Sequence, residues 1–89
     1  LAVALCLVPT GNVQAQTVSK GIAKTLQSAQ NASKARKWGA CLSDLKQAEA
    51  AGGLTAYDNY IINELRGFCA FSSGDNATAL RAYEANLSS

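Results

Sequence analysis

The sequence predicts an all-α protein made of antiparallel helical hairpins. Three observations predict it. After residue 16 the chain is rich in Ala, Pro does not recur beyond Pro9, and runs of β-branched residues are absent. Apolar residues recur at spacings of three and four, the period of a helix with one buried face. Turn chemistry then cuts the helical stretch into pieces, with Gly52-Gly53 and Ser73-Gly74 as the clearest breaks.

The first helix is expected from about Val18 to Ala35, with Val18, Ile22, Leu26 and Ala29 on one face. The second is expected from about Lys37 to Ala51, carrying Trp38, Cys41, Leu42, Leu45 and Ala48 at helical spacing. Gly52-Gly53 ends it, because Gly accepts the left-handed backbone that closes a helix. Thr55 with Asp58 three residues on reads as a capping box opening a third helix that runs to about Ser72. Asp75 caps the fourth, from Asn76 to about Leu87, with Ala79, Leu80, Tyr83 and Leu87 on one side.

The front of the chain reads differently. Leu1 to Val8 are all apolar, Pro9 to Asn12 break the run, and Val13-Gln14-Ala15 has small residues where a signal peptidase needs them. Residues 1–15 are therefore read as the remnant of a signal peptide, cleaved between Ala15 and Gln16. The run is too short to span a bilayer, which takes about 20 residues. The mature chain is expected to be exported to a bacterial periplasm, without a membrane span. Export bears on the cysteines. Cys6 leaves with the signal, and Cys41 and Cys69 remain as either a disulfide or two buried thiols.

Composition excludes several functions. The 89 residues contain no His, so no His-based triad exists, and the remaining cysteines are too few for a thiolate metal site. No Gly-rich phosphate loop or metal-ligand spacing occurs; no metal, cofactor or catalytic residue is expected. Asp44, Glu49 and Asp58 are read as solvated helix charges rather than acid/base groups. Charge is uneven: Lys20, Lys24, Lys34, Arg36 and Lys37 precede Trp38 with no acid among them, and all six acids follow it. Lys34, Arg36 and Lys37 are either part of a solvated face with helix-end charges or a patch for an acidic partner; the patch is too small for nucleic acid.

Two hairpins in series suggest an internal repeat, and an offset of 38 residues aligns them. It sets Ala29 on Gly67, Ala32 on Ala70, Cys41 on Ala79, Leu42 on Leu80 and Leu45 on Tyr83. With these positions the chain resembles the tetratricopeptide repeat (TPR) family. The second hairpin carries the likeness in Gly67, Gly74-Asp75, Ala79, Tyr83 and Leu87; the first follows in Ala29, Lys37-Trp38, Leu45 and Ala48. Arg36 stands where the turn Gly belongs, and extra residues around Gly52-Gly53 stretch the repeat. The wording of Ala35-Arg36-Lys37-Trp38 and Thr55-Ala56-Tyr57-Asp58 is similar to exported TPR-type proteins of Gram-negative bacteria. The resemblance implies a short right-handed solenoid of about two repeats in residues 16–89, with hairpins at about 18–51 and 55–87, that binds proteins or peptides without catalysis. Ala29, Trp38, Cys41, Leu45, Gly67, Ala79 and Tyr83 are then the repeat-packing residues.

A stack of two hairpins leaves apolar surface uncovered, so the solenoid is expected to continue past residue 89 or to self-associate. The third helix adds a conflict. Tyr57, Ile61, Leu65, Phe68 and Phe71 form an apolar row away from the Gly67 and Ala70 side that the TPR pattern turns inward. The row is either core in a shifted register or the lining of a groove. The groove would comprise Ile61, Phe68 and Phe71, edged by Gln30, Lys34 and Glu64, and would take a partner's helix or extended peptide. The alternative is a purely structural helical domain held by self-association or a Cys41–Cys69 bridge.

Overall fold

The computed structural model describes residues 16–88 and contains four helices, α1 (Lys20–Lys34), α2 (Trp38–Ala50), α3 (Ala56–Ser73) and α4 (Asn76–Leu87). The expected signal segment, including Ala15, lies outside the described residues. Helices adjacent in sequence pack against each other, α1 also touches α3, and α4 packs on α3 alone. The result is an all-α domain with its main core between the first hairpin and α3.

That core follows the sequence periodicity. Ile22, Leu26 and Ala29 of α1 meet Cys41, Leu45 and Ala48 of α2, with Ile62 and Cys69 of α3 closing the third side. Trp38, Leu42, Leu54, Ile61 and Leu65 lean on this cluster half-buried. Fully burying one Leu or Ile stabilises by about 1.5–3 kcal/mol, so the three largest, Ile22, Leu45 and Ile62, anchor the fold. Against α4 the packing depends on small residues instead, with Ala79 and Ala82 buried there.

The α1 start differs from expectation. Ser19 is extended, with φ −62° and ψ 145°, so the helix begins at Lys20 rather than Val18. The physical reason is Asp58. Its carboxylate accepts hydrogen bonds from the Ser19 N–H at 2.8 Å and the Ser19 hydroxyl at 2.5 Å, which holds that residue outside the helix. Asp58 also accepts from the Thr55 N–H at 2.9 Å while its own N–H donates to the Thr55 hydroxyl at 3.0 Å, completing the expected capping box. One carboxylate thus sits at the positive ends of both α1 and α3. Asp58 is buried, which corrects its reading as a solvated charge. Burial pushes its carboxyl up, but the hydrogen bonds from Ser19 and Thr55 outweigh that and lower it to about 2.

The two helix–helix turns share one hydrogen-bond pattern. The N–H of Lys37 donates to the Ala32 carbonyl, and that of Asp75 to the Ala70 carbonyl, both at 2.8 Å. Arg36 likewise donates to Ser33, and Gly74 to Phe71, both at 3.0 Å. Each turn needs a left-handed residue at its apex. Gly74 provides one at φ +94°, and Arg36 adopts it at φ +62° despite its side chain. Among the described residues no other non-glycine has positive φ.

Candidate interaction surface

The candidate surface is carried by α3, which touches every other helix. A disulfide between Cys41 and Cys69, Cα atoms 6.5 Å apart, fixes α3 to α2. Both residues are fully buried. The pairing resolves the alternative left open by the sequence. Arg66 adds a two-pronged ion pair to Glu49 of α2, at 2.8 and 3.1 Å. Asp44 of α2 accepts from the Ser28 hydroxyl of α1 at 2.7 Å. Glu49 and Asp44 therefore join helices.

On its other side, α3 receives α4 at close range. A Cβ placed on Gly67 would lie 2.5–2.8 Å from three carbons of the Tyr83 ring, so the absence of a side chain there admits the ring. Gly67 and Tyr83 are therefore in close contact, and Ala79, one turn before Tyr83 on α4, is buried. Ala29, Cys41 and Leu45 are fully buried in the first hairpin, and Trp38 is half-buried.

The expected groove residues fall in three neighbourhoods. Gln30 and Ile61 line a cleft between α1 and α3, shared with Val18 and Tyr57. Phe68 meets Trp38 edge to face, with ring centroids 5.8 Å apart, and remains 49% exposed. Phe71 is 65% exposed and lines a separate trough with α4. Glu64 accepts a hydrogen bond from the Asn86 amide at 3.0 Å, on the α4 side of α3. Lys34 is exposed at the end of α1. The row is therefore neither wholly core nor one continuous groove: Tyr57, Ile61 and Leu65 are half-buried, while Phe68 and Phe71 reach solvent.

The α3–α4 trough was not among the expected sites. It has a volume of about 600 Å³ and is lined by Phe71, Asn76, Ala79, Leu80 and Tyr83. Its lining is mainly apolar, and Leu80 at 59% and Leu87 at 86% exposure extend that character along α4. The signal available in the sequence was the 38-residue alignment, which pairs Leu80 with Leu42 of the core. Among the described residues no helix is long and apolar enough to cross a membrane. Compared with known proteins, the chain matches no family model, no curated protein and no solved structure.

Proposed function

We propose that the protein is an exported, non-catalytic, TPR-like scaffold module that binds another protein or a peptide segment in a bacterial periplasm. The observation that carries this reading is the exposure of Phe68 and Phe71 on a helix otherwise fixed by a disulfide, a two-pronged ion pair and a buried core. Rigid helices presenting aromatic anchors suit recognition, since anchors held in place lose little freedom on binding. The paired turns support a repeat of two hairpins, and the buried disulfide fits an oxidising compartment.

The test is retrieval from a periplasmic extract by the wild-type chain and by Phe68→Asp, with far-UV circular dichroism as the folding control. The wild-type chain should retrieve a partner that Phe68→Asp loses while keeping its helicity. The bridge itself favours a second reading, a purely structural domain that has no ligand or pairs with itself. Recovery of the chain alone selects that reading.

A further inference from the structure

The two helix–helix turns have one backbone and unlike side chains. They share the pair of hydrogen bonds given above and a left-handed apex. The first reads Lys34-Ala35-Arg36-Lys37-Trp38, the second Ser72-Ser73-Gly74-Asp75-Asn76. The second turn carries what the geometry asks for, a glycine apex and a helix cap, with the Asp75 carboxylate accepting from the Thr78 N–H at 3.1 Å. The first departs from it unfavourably at both positions. Arg36 holds φ +62° with a Cβ in place. Lys37 stands at the N-cap of α2 without a side-chain hydrogen bond, and sets a positive charge at the positive end of that helix. Lys34 suits the negative end of α1, but turn stability does not account for Arg36 or Lys37.

The three cations are also unanswered inside the molecule. All are exposed, and among the described residues none lies within ion-pair distance of an acid. The acids are engaged elsewhere, Asp44 with Ser28, Glu49 with Arg66 and Asp75 with Thr78. Trp38 follows the cations directly, half-buried, and meets the half-exposed Phe68 edge to face. This cluster sits at the tip of the first hairpin, about 22 Å along α1 from its start. A hairpin tip is convex, which suits a flat surface better than an enclosed ligand. We infer that the Lys34–Trp38 turn is a peripheral docking site for a bilayer surface bearing anionic phospholipid. Lys34, Arg36 and Lys37 answer the phosphate charges, each basic residue strengthening attachment about fivefold. Trp38 and Phe68 supply the aromatic edge that settles among the headgroups. Unanswered cations joined to an aromatic pair favour lipid over an acidic protein, which would need the cations alone. Attachment is at the surface, since no described helix is long and apolar enough to cross a membrane. The site does not depend on the protein-binding reading above.

The test uses residues 16–89, the chain without its expected signal segment, and vesicles of phosphatidylcholine with or without an equimolar share of phosphatidylglycerol. Wild type should sediment with the anionic vesicles, ignore phosphatidylcholine alone, and be released by high salt. Trp38, the single tryptophan, should shift its emission to the blue on binding. The triple variant Lys34→Ser, Arg36→Gly and Lys37→Asp carries what the same backbone already holds at 72, 74 and 75, so it keeps its fold, as circular dichroism verifies. It should bind about a hundredfold more weakly. Arg36→Gly alone should bind about fivefold more weakly although its fold is the more stable. Absence of binding to anionic vesicles, equal binding by wild type and triple variant, or binding that ignores vesicle charge overturns the proposal. So does binding to soluble polyglutamate without vesicle binding, which assigns the turn to an acidic protein. Both variants keep Phe68 and Phe71 and should still retrieve the partner proposed above, so either reading can fail without the other.

Discussion

Replacing Cys41 and Cys69 together by Ala removes the disulfide cross-link between α2 and α3. The bridge joins residues 28 apart in sequence. In the chain-entropy model, closing a loop of that length stabilises the folded state by about 3.6 kcal/mol. A domain of this size has a total stability of about 4–11 kcal/mol, so the loss is a large share of it. With a urea slope of about 1 kcal/mol/M, the unfolding midpoint should fall by about 3.6 M. The assay is urea unfolding followed by far-UV circular dichroism, with the wild type under reducing and non-reducing conditions beside the double variant. Reduced wild type and double variant should unfold at similar, lowered midpoints. A midpoint that moves by less than about 0.5 M refutes the reasoning. So does full thiol labelling of the folded chain without reductant.

Three further outcomes follow from local geometry. Arg36→Gly should stabilise by about 0.5–1 kcal/mol, since Gly adopts the φ +62° backbone without a Cβ clash; an unchanged or lowered melting temperature would count against the turn geometry. Asp58 has a folded pKa of about 2, below its ordinary value of 3.8. Its contribution is therefore present above the unfolded value and fades as pH falls through the folded one. Urea midpoints measured from pH 6 down to pH 2 should drop more steeply for the wild type than for Asp58→Asn, and parallel curves would remove the double-cap role. Gly67→Ala should cost about 1 kcal/mol or more through overpacking on Tyr83, but stabilise when Tyr83 is already Ala; the same sign in both backgrounds contradicts the close contact.

Most of the fold was legible because its determinants are local. The three-and-four spacing located the core faces of α1 and α2, and Thr55 with Asp58, Asp75 and the glycine pair set the helix ends within one or two residues. The matching turns were legible too, since Arg36 falls where Gly74 recurs. The second role of Asp58 was not, because Ser19 lies 39 residues away and no local pattern encodes that hydrogen bond. The same holds for Glu49, read as a solvated helix charge, because its partner Arg66 lies on another helix 17 residues away. The aromatic row on α3 was visible as a row, but its division was not. Successive stretches meet different neighbours: Ile61 faces the α1 cleft, Phe68 meets Trp38, and Phe71 opens toward α4. Periodicity gives a helix one face, whereas α3 is contacted by three helices.

The account depends on Phe68 and Phe71 standing bare on a helix whose inner face is fixed. Hydroxyl-radical footprinting of the isolated chain reads this directly, residue by residue. Phe68 and Phe71 should label readily, while Leu45 and Ile62 stay protected. Protection of Phe68 and Phe71 in the free monomer would contradict their availability for recognition.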